Sequence, residues 1–431
     1  MLPFSAVIPM DVENQAYVAI RAEERIRPIG TDIKSAEEEI DPSLRYDYVW
    51  KGGSDHFVTL YRPRLIYQSS WDRRFPDPTL VNPNTYNTDD PNKTPFSALH
   101  FLGLGYEHNR PRYRVTLYGN GAYGQISTTA LLVPDPWVGE GPPLDPNPVV
   151  PSTIGARFTL IFAQVTLNVP IRLSPRTALI PGVNFNAFGG ADQKSRGVIA
   201  LSEGPGASLQ LDHLATKQDR LISTIGAGRV ENIFQDERDG ITIYRAEATQ
   251  AWRHYFSSHW TSELSGGTSI GGDGINGYTI FTEGMSWVTW DSWPVQRQPP
   301  GAAPAGGEPG HGGHLQVGAV AKVQPWIDLF SGDLEQRLVT GVAMNYGMGR
   351  AATRLSLSQA RVVNTPRSVA QYQVVFGEGA VKYQIVPTFS VDTGVRVAYQ
   401  DFNNAIRFNE LTQVTAFVGL TYSPLAYRWN P

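Results

Sequence analysis

Arginines and carboxylates stand two residues apart at several places in this chain. Arg62 and Arg64, Arg112 and Arg114, and Arg245 and Glu247 are such pairs, and Arg337, Asp392 and Arg396 sit in similar alternating runs. On an extended strand successive side chains point to opposite faces, so residues two apart share a face. Charges gathered on one face of a sheet can hold each other in cross-strand ladders, or present a charged wall to a passing solute. Both are chemistries of recognition rather than of bond making.

Motifs that would make bonds lack their setting. Gly267-Thr268-Ser269-Ile270-Gly271 matches the spacing of a serine nucleophile turn, but that turn joins a strand to a helix, and only Gly-rich strand follows here. Gly119-Asn120-Gly121-Ala122-Tyr123-Gly124 matches a dinucleotide-binding fingerprint, yet no helix follows to receive a phosphate. His311 and His314 stand three apart in a Pro/Gly-rich stretch without a third ligand type nearby. The Asn/Asp-rich stretch 82–92, with Asp89 and Asp90, lacks the spacing of a calcium loop and reads as turn chemistry. We therefore expect no catalytic residues, no metal, no cofactor and no enzymatic activity.

Composition narrows the class further. Net charge is −4, from 36 basic and 40 acidic residues, which gives no electrostatic footprint for nucleic acid. Cysteine is absent, so disulfides and thiolate chemistry are excluded. No run of about 18 apolar residues exists, which excludes a spanning helix. A mean hydropathy of −0.25 does not exclude spanning strands, because polar inward residues dilute apolar outward ones. Gly (42), Pro (32) and aromatic residues (11%) are abundant, a turn-and-strand composition.

The elements that must position the charges are strands. In 389–400 one parity reads Phe389, Val391, Thr393, Val395, Val397, Tyr399 and the other Ser390, Asp392, Gly394, Arg396, Ala398, Gln400. This period of two recurs from Ala16 to Tyr422 and predicts about 18 strands of one all-β, antiparallel transmembrane barrel. Residues 1–15 read as an N-terminal extension and 16–431 as the barrel domain. Long connections at 27–43, 70–96, 132–154 and 189–205 alternate with short ones, which predicts long outer loops and short inner turns. The Pro/Gly/Ala-rich insert 291–313 breaks that alternation. It implies either a miscounted strand or a flexible insert on the short-turn side. Aromatics near strand ends, namely Trp50, Trp252, Tyr255, Trp260, Trp287 and Trp290, predict headgroup-level girdles. Residues 1–10 carry neither Lys nor Arg and do not read as a signal peptide, so an exported chain would have had one removed.

The last strand resembles the assembly signal of Gram-negative outer-membrane β-barrel proteins, with Gly419 two to three residues before the aromatic Tyr422. It departs from that pattern in running on through Pro424 to Tyr427, Trp429 and Pro431. In strand size and loop asymmetry the chain is similar to porin-like barrels, and also to the barrels of polysaccharide export systems. The resemblance implies a bacterial outer-membrane location. It implies a channel for polar solutes or a secreted polysaccharide, with membrane lipids as partners and, for export, a periplasmic partner. An anchoring barrel with an occluded bore, or a soluble secreted β-protein, are the alternatives.

Overall fold

The structure, a computed structural model, describes residues 15–28, 36–40, 43–70, 96–127, 157–197, 199–234, 240–273, 277–293, 313–327, 334–364, 371–403, 410–422 and 427–428. The first strands are β1 (Gln15–Pro28), β2 (Ala36–Ile40), β3 (Ser43–Gly52), β4 (Asp55–Ser70), β5 (Phe96–Asn109), β6 (Arg114–Ser127), β7 (Arg157–Asn168), β8 (Ile171–Ser174) and β9 (Thr177–Gly190). A one-turn helix α1 (Gln193–Arg196) precedes β10 (Leu201–Leu214), β11 (Asp219–Ile233), β12 (Ile241–Tyr255), β13 (Trp260–Gly272), β14 (Tyr278–Asp291) and β15 (His314–Ile327). β16 (Leu334–Met348), β17 (Ala351–Asn364), β18 (Gln371–Val386), β19 (Phe389–Asn403), β20 (Glu410–Tyr422) and β21 (Tyr427–Arg428) complete the order.

Each strand pairs antiparallel with its neighbour, and the sheet closes on itself. β1 pairs with β3 on one side (Ile20↔Leu44) and with β20 on the other (Ile20↔Tyr422 to Ile26↔Ala416). β2 and β3 share one position between β1 and β4, β7 and β8 share one beside β9, and β21 extends β20 along the start of β1. The 21 segments thus form 18 staves. Closure leaves no open edge, so every stave satisfies its backbone groups within the wall.

The turns fit this arrangement locally. Gly53 (φ 59°) and Gly349 (φ 60°) open two-residue hairpin turns, where the twist of the flanking strands demands a positive φ that glycine adopts freely. Part of the expected loop 27–43 is strand β2, which prolongs the wall between β1 and β4. The expected loop 189–205 is shorter, because β9 and β10 run on to Gly190 and from Leu201. There the Asp192 carboxylate caps α1 by accepting from Ser195 N at 2.8 Å. Loops 71–95 and 128–156 lie outside the described residues. The strand order places 291–313 between β14 and β15, at the short-turn end, and only its two ends are described.

Parity separates the two faces. On β5, Ser97, Leu99, Phe101, Gly103, Gly105 and Glu107 are buried, while Phe96, Ala98, His100, Leu102 and Leu104 are exposed. The exposed parity carries Val183 and Phe185 on β9, Leu209 and Leu211 on β10, Leu355 and Leu357 on β17, and Val395 and Val397 on β19. On a closed wall this is the outer face, and it is apolar. Phe96 and Tyr106 end the outer run of β5. Ten residues at about 3.3 Å, tilted about 40°, set them about 25 Å apart along the axis, the height of an apolar membrane band. Trp252, Phe256, Trp260 and Tyr422 lie at the short-turn end of the outer face, Tyr123, Tyr244 and Tyr278 at the other. A polar pair within the band is satisfied internally, with Tyr61 Oη 2.9 Å from His100 Nδ1.

Candidate functional site

The candidate site is the inner wall. Eighteen staves spaced about 4.8 Å apart and tilted about 40° give a backbone diameter of about 36 Å, wide enough for a bore after inward side chains are counted. What that bore can do depends on which inward side chains reach it.

One group of inward residues is charged and paired. Asp212 on β10 is fully buried and accepts both arms of the Arg220 fork from β11. Arg253 on β12 meets Glu263 on β13 at 2.6 Å, with its guanidinium 5.4 Å from the Trp287 ring centroid. Glu335 and Arg337 on β16 pair with each other. On β18 and β19, Glu378 accepts from Arg396 at 2.7 Å and has Arg354 of β17 at 3.7 Å. Arg396 lies 4.2 Å over the Phe417 ring of β20 and is 2% exposed. Such pairing removes the cost of an isolated buried charge.

A second group is uncharged and less buried. On β9 to β12 the inward positions read Asn184 and Asn186, then Ser208 and Gln210, then Thr224, then Thr249, all partly accessible. Glycines stand between them. Register sets Gly206 beside Asn184 and Gly228, Gly226 beside Ser208 and Glu247, and Gly271 beside Arg245. A Cβ on Gly206 would sit 2.8 Å from Asn184 Oδ1, and one on Gly226 3.1 Å from Glu247 Oε1. These side chains therefore lie along the wall over glycine, which holds them out of the bore. Arg245 bridges Glu247 at 2.6 Å and Glu283 of β14 at 2.9 Å.

At the short-turn rim, Asp–His pairs tie adjacent staves. Asp55 accepts from Tyr106 Oη at 2.7 Å and lies 2.8 Å from His108 Nδ1. Asp219 accepts from the Thr216 hydroxyl and the Trp252 indole and lies 2.7 Å from His254 Nδ1. The hydrogen bond from Tyr106, then that from His108, lowers the Asp55 carboxyl to about 2, while Thr216 first and His254 next do the same for Asp219. Asp291 lies 2.7 Å from His314 Nε2, and the Trp293 ring packs at a tilt against that imidazole with centroids 4.8 Å apart, so the two ends of the 291–313 segment are fastened together.

Arg64, Arg114, Arg245, Glu247, Arg337, Asp392 and Arg396 lie on the inner parity. Of these, Arg245 and Glu247 are about one-third exposed, whereas Arg64, Arg337, Asp392 and Arg396 are buried. Arg112 falls in the 110–113 turn and is exposed, because β6 begins only at Arg114. Trp252, Trp260 and Trp290 share the outer parity. Tyr255 and Trp287, expected in the girdle, take the inner parity with Arg253 and Glu283; strand-end position sets height, but parity sets the face. The side chains of Trp50 and Arg62 lie outside the described residues, as does His311. Both enzyme-like glycine motifs are strand, in β13 and β6. Among the described residues no three potential metal ligands converge. The reading of single charges passed over Asp212, Glu283, Glu378 and the amides, although Gln210 between Leu209 and Leu211 carried the parity signal.

No family model and no curated protein matches this chain. Among solved structures, it is similar to OpdQ of Pseudomonas aeruginosa at 9% identity and a TM-score of 0.45, covering 97% of this chain and 100% of that one. It is similar to OccAB4 of Acinetobacter baumannii at 9% identity and a TM-score of 0.47, over 96% and 99% of the two chains. A BenF-like porin from Pseudomonas fluorescens Pf-5 matches at 13% identity and a TM-score of 0.45, over 95% and 98%. At those values the likeness decides nothing about mechanism, which must come from the wall itself.

Proposed function

We propose that this chain is a bacterial outer-membrane channel that lets small polar solutes cross by passive diffusion. The observation that carries the reading is the inner face of the closed barrel. Amides and hydroxyls there are partly accessible, long side chains lie over glycines, and charges are mostly paired within the wall. A face of this kind keeps water in the bore and offers hydrogen bonds without a deep trap, which conduction requires. The apolar outer band fits a lipid environment, and aromatic rings at both ends fit its interfaces.

One observation favours a second reading, a barrel whose bore is narrowed on one side. Inward Leu99, Phe101, Leu160 and Phe162 on β5 and β7 are all buried, Leu99 and Leu160 completely. Apolar side chains on a bare wall beside water would not be. Release of entrapped solutes from vesicles carrying the purified chain separates the readings. Escape of a small polar dye, with retention of a dextran, supports the channel. Retention of both by correctly folded protein overturns it.

A further inference from the structure

We infer that the inner wall of β9 to β12 is a binding site for a neutral, polyhydroxylated solute of the saccharide class. The inference rests on the channel reading and deepens it.

The site is a shallow bay. Gly206 and Gly228 face each other across β10 and β11, with Gly226 two residues along β11, and give three adjacent inward positions without side chains of their own, over two of which the Asn184 amide and the Glu247 side chain lie flat. Around that floor stand Asn184 and Asn186 on β9, Ser208 and Gln210 on β10, Thr224 on β11 and Thr249 on β12. From β9 to β12 the bay crosses three strand spacings, about 14 Å, room for a short oligosaccharide lying along the wall.

The chemistry of the rim selects the ligand. Each of the six groups both donates and accepts hydrogen bonds, as sugar hydroxyls do. Their geometry is partly fixed in advance. Asn186 Nδ2 donates to Asn184 Oδ1 at 3.1 Å, and the Asn184 amide rests over Gly206. Preorganisation of this kind lowers the ordering cost of binding.

Charge argues against an anion at this position. The neighbouring cluster holds one guanidinium, Arg245, between two carboxylates, Glu247 and Glu283, a net charge of −1. Arg245 Nη2 serves both carboxylates, so an anionic solute meets a cluster of net negative charge whose one guanidinium is held between them. A neutral solute meets no such term. Ile180 and Ile222, inward on the short-turn side of the bay, can take the apolar face of a ring.

The test is binding of maltotriose to the full-length chain folded in detergent micelles, followed by titration calorimetry, with citrate as the anionic counterpart. Maltotriose should bind saturably and citrate should not. The double variant Asn184→Ala/Ser208→Ala should weaken maltotriose binding about tenfold or more, the loss of two hydrogen bonds. The outer-face control Val342→Ala should leave it unchanged. Equal affinity in the double variant, or binding of citrate in place of maltotriose, overturns the inference. So does absence of maltotriose binding to folded protein. Calorimetry needs no conduction, so vesicles that release the dye while maltotriose fails to bind would leave the channel standing and sink only the bay. Variants of Gly228 give a second arm, because Gly228→Phe should fill the bay and abolish binding while its heat-modifiable mobility on gels reports an intact barrel.

Discussion

Removing the Arg396 guanidinium should cost far more than removing a charge in an open bore. Arg396 is 2% exposed, donates to Glu378 Oε2 at 2.7 Å and stacks over Phe417 at 4.2 Å. In Arg396→Met the apolar stem is kept, so most of the packing on Phe417 survives. The Glu378 carboxylate then stays buried with Arg354 still 3.7 Å away. Breaking a buried pair by deleting one partner costs about 3–5 kcal/mol, and the remaining Arg354 offsets part of it, so we expect a loss of about 3 kcal/mol. Replacing both members should be milder, because the charge then left without Glu378 is Arg354, which is about one-third exposed to water rather than buried. Arg396→Met/Glu378→Leu should recover at least about 1.5 kcal/mol of that loss. Reversible urea unfolding from lipid vesicles, read by tryptophan fluorescence, measures both values. A single-variant cost below about 0.5 kcal/mol, or a double variant as unstable as the single, would refute the claim that this pair is a desolvated part of the wall.

Other perturbations probe the two faces and the rim. Val395→Arg places a charge on the outer band and should cost about 2–4 kcal/mol in the same unfolding assay if lipid lies there; no cost would argue for a soluble protein. Gly394→Val should destabilise by about 1–3 kcal/mol through overpacking, because a Cβ there lies 2.5 Å from Gly379 O and 2.7 Å from the Phe417 ring. The Asp55 and Asp219 carboxyls are lowered from 3.8 to about 2 in the folded chain. Their contribution is therefore full above about pH 4 and lost as pH falls towards 2. Hydrogen exchange at the Trp252 indole should accelerate over that window in the wild type, and Asp219→Asn should show no such pH step.

Much of this architecture was legible because strand parity is a local property. Asp392, Gly394 and Arg396 alternate with Val391, Thr393 and Val395, and that alone assigns each to a face. The same rule, applied without exception, would have put Trp287 with Glu283, and Tyr255 with Arg253, on the inner side. What parity cannot supply is distance across staves. Arg396 is buried because Glu378 and Phe417 arrive from the staves on either side, and their register is set by hairpin turns and closure. For the same reason a run of separate glycines on β10 and β11 becomes a continuous floor only once Gly206 is known to face Gly228. Arg112 illustrates a boundary effect, since its parity matches Arg114 but the turn claims it first.

The central claim is a water-filled bore whose inner parity meets solute while the outer parity meets lipid. The chain has no cysteine, so a single introduced thiol reports on one position alone. Gln210 faces inward at mid-wall and Leu209, its neighbour, faces outward. Each is changed to cysteine, the protein is reconstituted in planar bilayers, and a charged, membrane-impermeant thiol reagent is added during current recording. The account predicts an open-channel current that falls in Gln210→Cys and stays constant in Leu209→Cys. Absence of current from folded protein, or the same response from both variants, would contradict it.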